Sequence, residues 1–287
     1  MATQTATPAT QNLLSEETKE FYRRALRALD EGGAPVLVGG AYAYARYTGI
    51  ERHTKDFDVF VRPRDFDRAL EALARQGWQT ERTFEHWLGK AYQGDDFVDV
   101  IFSSGNGVAR VDDLWFEHAQ PGEVLGMPVR LAPAEEMIWS KAFIMERERF
   151  DGADVAHLLR ACAPDLDWDR LLQRFDSNGG WRVLLAHLVL FGYIYPGEAT
   201  RIPERVIETL AGRLRREAAA PPSEEDEGLC RGTILSRSQY LIDILAWGYR
   251  DARERPLGNM SGQEIERWTA AAEKDGDVSQ LQAIENG

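Results

Sequence analysis

The spacing of apolar positions changes several times along the chain, and each change predicts an element. From Leu13 to Asp30 the apolar residues recur at helical spacing on one face. Ser15 is placed to cap that helix, Glu16 and Glu17 suit its positive end, and Gly32-Gly33 stop it. Pro35 to Val38 is a short apolar strand, followed by Gly39-Gly40 and a short helix from Ala41 to Tyr47. Asp56 to Val61 (DFDVFV) alternates acidic and apolar residues, the period of a half-buried strand. Pro63 ends it, and Arg64 to Gln76 returns to helical spacing with Phe66, Ala69, Leu70 and Leu73 on one face. From Gln79 to Phe102 the pattern is again β, with strands at Trp87 to Tyr92 and Phe97 to Phe102 around a Gly94-Asp95-Asp96 turn, and Val124 to Leu131 reads as a last strand.

From Pro133 onward helical segments dominate: Ala134 to Arg149, Asp151 to Cys162, Trp168 to Phe175, Trp181 to Tyr193, Pro203 to Ala219, and a final region over Ser236 to Asp251. The expected organisation is a flexible tail over residues 1–12, an α+β core over 13–132 and a helical domain over 133–287 with a solvated loop at 218–228. The apolar stretch from Val183 to Tyr195 is too short to span a bilayer. Two cysteines, Cys162 and Cys230, in no metal-ligand or C-x-x-C spacing, suit a reducing compartment. With no basic, apolar leader at the start of the chain, a cytoplasmic location is expected. The net charge of −13 excludes a general binder of duplex DNA or anionic membrane, although a local basic site is compatible with it.

The chemistry is concentrated in three aspartates. Asp56 and Asp58 are two apart on a predicted strand, so their carboxylates share a face. Like charges that close repel unless a cation lies between them. Asp99 repeats the acid-among-apolar pattern in FVDVIF, and adjacent strands are about 4.8 Å apart. The three could converge on Mg²⁺, which prefers oxygen ligands and accepts phosphate oxygens. A lone D-x-D is more often a solvated strand edge, and a bare G-G more often an ordinary turn. Their combination is what points to phosphate chemistry, because a glycine turn before a helix exposes backbone N–H groups to an anion. Neither a P-loop nor a G-x-G-x-x-G fingerprint is present.

Val38 to Val61 (VGGAYAYARYTGIERHTKDFDVFV) resembles the nucleotidyltransferase superfamily in its G-G … T-x-D-x-D form, with FVDVIF supplying the third aspartate. The branch it is most similar to is the AbiEii/AbiGii toxin-type, MenT-like group, whose second half carries a lysine in a helix and then D-x-x-D. Pro133 to Leu159 offers Lys141, then Asp151 and Asp154. The resemblance covers roughly 37–159. The superfamily's broader G-S is G-G here, with Ala41 and Tyr42 where a serine would stand.

The resemblance implies a mixed β-sheet core with flanking helices followed by an all-helical domain. It implies Mg²⁺-dependent transfer of a nucleotide from an NTP to a hydroxyl, with two ions expected. Asp56, Asp58 and Asp99 would bind metal, Asp99 also lowering the pKa of the attacking hydroxyl or taking its proton. Gly39 and Gly40 would hold the β/γ-phosphates. Lys141 would balance triphosphate charge, and Arg52, Thr54, Lys55 and Asp154 would sit at the nucleotide. For Arg52 and Lys55 a solvated surface role stands at even weight. His53 could hydrogen-bond substrate. The implied acceptor is tRNA or a protein, with toxin action and an antitoxin partner in prospect. The alternatives are a small-molecule, antibiotic-type nucleotidyltransferase and a non-catalytic nucleotide-binding module.

Overall fold

The computed structural model describes residues 14–52, 54–221 and 223–274; the expected tail at 1–12 and His53 lie outside the described residues. The chain divides into two compact units. One comprises the described residues up to Ser104 together with Arg110–Pro133; the other comprises Gly105–Ala109 and the described residues from Ala134 on.

In the first unit, helix α1 (Glu16–Glu31) starts as expected, with the Thr18 N–H donating to Ser15 Oγ at 3.0 Å. Strand β1 (Leu37–Val38) leads through Gly39 into α2 (Gly40–Thr48). Strand β2 (Asp56–Phe60) is followed by α3 (Phe66–Ala74), and then by β3 (Gln79–Phe84), β4 (Leu88–Gln93) and β5 (Asp96–Ile101). A short helix α4 (Asp113–Glu117) precedes β6 (Gln120–Val124) and β7 (Met127–Leu131). Among the described residues these strands form a seven-stranded mixed sheet in the order β3-β4-β5-β2-β1-β7-β6. Strands β2 and β5 run parallel, as do β1 and β7, and the remaining pairs are antiparallel.

The alternation in β2 and β5 has the expected result. Phe57, Val59, Val98 and Val100 are fully buried, while Asp56, Asp58 and Asp99 take the intervening positions and therefore the other face. Tyr22 of α1 stacks on Phe57 with ring centroids 4.6 Å apart. A side chain at Gly89 would run into the Phe66 ring of α3, whose Cζ is 2.7 Å from the position of a Cβ. Apolar cover thus lies on one face of the sheet and the acids on the other.

The stretch read as a last strand, Val124 to Leu131, supplies strand β7 as the second arm of a hairpin whose first arm, β6, precedes it. Leu125 and Gly126 form its turn, both with positive φ (53° and 77°), so β6 pairs back onto β7. Two successive left-handed residues make the turn whose twist matches a two-residue hairpin. A leucine at the first of them gives no turn signal in the sequence.

In the second unit, α5 (Ala134–Ala142) is shorter than the expected Ala134 to Arg149, because the chain turns back after it in a Met145–Phe150 bridge. Helices α6 (Gly152–Cys162), α7 (Trp168–Arg174), α8 (Trp181–Ile194) and α9 (Glu204–Ala219) follow close to their expected places. The region expected to be helical over Ser236 to Asp251 is broken. It holds α11 (Leu241–Leu245) and β9 (Arg250–Asp251), is preceded by β8 (Leu229–Cys230) and α10 (Gly232–Leu235), and pairs its β9 in parallel with β8. The Asp251 carboxylate accepts hydrogen bonds from Thr233 and from the fully buried Arg253, which ties this segment down by side chains rather than by helix periodicity. Helix α12 (Gly262–Lys274) closes the described chain.

Candidate functional site

Sheet register assembles the acidic site. On parallel strands, Asp58 lies directly opposite Asp99, and Asp56 is one pleat away on the same face. The row continues across the sheet, because Asp99 is opposite Lys90 on β4 and Lys90 is opposite Glu81 on β3. On the other side, the Gly39 N–H donates to the Asp58 carbonyl at 3.0 Å. Glu81, Lys90, Asp99, Asp58 and Gly39 therefore form one transverse line through five strands or strand ends.

The two glycines are required by this row. A Cβ on Gly40 would lie 1.7 Å from Asp58 Oδ2, and Gly40 has φ +51°. A Cβ on Gly39 would lie 2.0 Å from Cε2 of Phe60. The backbone at the start of α2 is pressed directly against the Asp58 carboxylate. The N–H of Gly39 is already engaged, so amide donors for an anion come from the first turn of α2, where a helix leaves its N–H groups unused. Tyr42 packs on Phe57 at 5.1 Å between centroids. Its hydroxyl is buried with no hydrogen-bond partner among the described residues. Burial, with the Asp58 charge adding to it, pushes the Tyr42 phenol well above its ordinary range.

Burial also raises the carboxyl of Asp99; the Lys90 charge and hydrogen bond work against this, and the charge of Asp56 adds to it. Lys90 Nζ donates to Asp99 Oδ1 at 2.6 Å, with the two side chains 20% and 13% exposed. Lys90 was not among the residues the sequence pointed to. The signal was there, a single cation between Leu88-Gly89 and Ala91, but its meaning depends on the register with β5.

The neighbouring residues take local roles. The Thr54 hydroxyl accepts from the Asp56 N–H at 2.9 Å and fixes the entry to β2. The Lys55 carbonyl accepts from the Tyr22 hydroxyl at 2.6 Å, and the Lys55 side chain is exposed. The Arg52 guanidinium lies over the Tyr44 ring at 4.6 Å.

Lys141, Asp151 and Asp154 belong to the helical unit, where they bind one another. Lys141 Nζ donates to Asp151 Oδ2 at 3.0 Å and to Asp154 Oδ2 at 2.8 Å, and Arg149 forks onto Asp151. Burial alone would raise Asp151, but the hydrogen bonds and charges of Arg149 and Lys141 outweigh it and hold the carboxyl below its ordinary value.

Among the described residues no group of three His, Cys, Asp or Glu side chains is gathered into a metal-binding cluster. The donors nevertheless fit a hard cation in kind, since Asp56 and Asp58 present carboxylates on one face beside a glycine turn. Oδ1 of Asp99 accepts from Lys90.

A mixed sheet carrying a G-G turn, D-x-D and a third aspartate on the next strand has the architecture of nucleotidyltransferases. The chain belongs to the family described as uncharacterised nucleotidyltransferase, which matches residues 8–195. A search of curated proteins finds no match. Solved structures similar to the chain include an antigenic nucleotidyltransferase-like protein from Paracoccidioides brasiliensis. It is 15% identical, with 65% of this chain and 92% of that one covered and a TM-score of 0.42. The antibiotic-resistance factor ANT(2'')-Ia is 16% identical, with 72% and 95% covered and a TM-score of 0.37. The lincosamide antibiotic adenylyltransferase LnuA is 13% identical, with 50% and 95% covered and a TM-score of 0.35.

Proposed function

We propose that this nucleotidyltransferase moves an NMP from an NTP onto a hydroxyl acceptor at the face that carries Asp56, Asp58 and Asp99. The observation behind this reading is the in-register pair Asp58–Asp99, with Asp58 held against the glycine turn. Attack of the acceptor oxygen on the α-phosphorus forms one P–O bond and breaks the bond to the leaving pyrophosphate. Asp56 and Asp58 would hold Mg²⁺, which supplies charge neutralisation for the triphosphate when bound. Asp99 takes the proton of the attacking hydroxyl or orients it, and the first turn of α2 offers N–H donors to phosphate oxygens.

The resemblance to the AbiEii/AbiGii toxin-type branch favours a tRNA or a protein hydroxyl as acceptor, and with it a toxin role and an antitoxin partner. A small-molecule hydroxyl is the second reading. It is supported by the net charge of −13, which weakens any long RNA interface. Lys141 and Asp154 as nucleotide contacts rest on the same branch resemblance.

The test is incubation with each labelled NTP, Mg²⁺ and total RNA, in parallel with Asp58→Ala. Label is expected on RNA, on the protein or on an added small hydroxyl compound, and to fall by about 10³-fold in the variant, as when a main charge-stabilising group is lost. Absence of Mg²⁺-dependent binding or turnover of every NTP would remove the reading.

A further inference from the structure

Lys90 is fixed more tightly than a surface lysine. It sits directly across from Asp99 in the β4–β5 pairing, so strand register and not a flexible stem brings its ammonium to the carboxylate. Nζ lies 2.6 Å from Asp99 Oδ1 and 4.1 Å from the centroid of Phe97, which precedes Asp99 by one pleat on the same face. An aromatic face beside a cation adds to its preference for this place. On its other side, Glu81 is already engaged, accepting from the Tyr92 hydroxyl at 2.8 Å and from the Thr83 hydroxyl at 3.1 Å. The ammonium is thus directed to the carboxylate row.

A divalent ion held by Asp99 would stand beside the Lys90 ammonium, a positive charge that already lies 2.6 Å from Oδ1. We propose that Lys90 is a built-in counter-cation that stands in for one of the two metal ions. On this inference Asp56 and Asp58 hold a single divalent ion, and Lys90 neutralises and orients Asp99 for the acceptor hydroxyl. This rests on the nucleotidyltransferase reading, and it makes Lys90 a positioning residue acting through Asp99.

The experiment counts ions rather than turnover. The full-length protein is titrated with Mn²⁺ in the presence of a non-hydrolysable ATP, GTP, CTP or UTP analogue. Free Mn²⁺ is followed by its paramagnetic resonance signal, and bound nucleotide is measured separately. One Mn²⁺ per bound nucleotide is expected for the wild type and for Lys90→Arg. Two are expected for Lys90→Met, the second binding at least 10-fold more tightly than any second ion in the wild type. Two ions in the wild type overturn the inference while leaving the enzyme reading intact. So does one ion in both wild type and a folded Lys90→Met. Should Lys90→Met fail to fold, Lys90→Gln and the wild-type count decide. If no analogue binds, the nucleotidyltransferase reading fails and takes this inference with it.

Discussion

Gly40 shows how tightly single residues are constrained at this site. Its missing side chain is the space that Asp58 Oδ2 occupies, and its positive φ is a conformation that L residues rarely adopt. Gly40→Ala must therefore displace either the carboxylate or the start of α2. Turnover is expected to fall by about 10²-fold, the cost of misplacing a reacting group by about 1 Å. A far-ultraviolet circular dichroism spectrum unchanged from wild type would show that the sheet survives; full activity would show that the carboxylate is not needed where it stands. The G-G and D-x-D motifs were legible separately in the sequence. That one exists to accommodate the other was not, because the contact joins the start of helix α2 to strand β2. Lys90 was missed for the same reason, since a cation in a strand reads as solvated until its cross-strand partner is known.

Elements of the helical unit are joined by buried charge. Glu136 of α5 is fully buried, and Arg170 of α7 reaches both of its oxygens at 2.6 Å. Arg174 adds a third hydrogen bond at 3.0 Å, and Glu135 pairs with Arg170 at 2.7 Å. Removing one partner strands the others in a low-dielectric interior, so Glu136→Ala is expected to cost about 3–5 kcal/mol. Chemical denaturation with a probe on the helical unit measures this, and a loss under about 1 kcal/mol would mean that the arginines find other partners. In the sequence, Glu135-Glu136 reads only as two acids suited to the first turn of a helix. Their burial depends on the α5–α7 packing. Helix α1 behaved differently: its cap, first-turn acids and glycine stop are all within a few residues of the positions they act on, and it forms where they predict.

At the scale of the whole molecule, acid and charge give two further expectations. Burial lowers His187, although its hydrogen bond to the Ala142 carbonyl at 2.9 Å works the other way. The unfolded chain therefore takes up the proton first, and stability present at neutral pH is lost as pH falls below about 6.5. Asp151 and Asp251 are held low by their cationic partners, outweighing burial, and lose their contribution from about pH 4 downward. Asp99 is raised, so it acts in the opposite sense and disfavours the fold as pH rises. The melting temperature of the helical unit is expected to drop between pH 7 and pH 5, and His187→Gln to flatten that step. An unchanged pH profile in the variant would show that another group titrates there. With a net charge of −13, binding to random duplex DNA is expected to be undetectable at 0.15 M salt in a filter or gel-shift assay. Among the described residues no helix is long and apolar enough to cross a membrane.

The sequence by itself determined the alternation that puts Phe57, Val59, Val98 and Val100 on one face and Asp56, Asp58 and Asp99 on the other. It also determined the glycine turn, the capped first helix, the change to helices after Pro133 and the nucleotidyltransferase kinship. These follow from periods of two and 3.6 residues and from short motifs, which act within a few positions of themselves. Tertiary structure alone decided the register that sets Asp99 between Asp58 and Lys90, the β6–β7 hairpin at Leu125-Gly126, the pairing of Lys141 with Asp151 and Asp154, and the break in the segment after Leu229. Each of these joins residues through cross-strand pairing, side-chain burial or an unusual backbone angle, and their energies depend on partners that local periodicity does not specify.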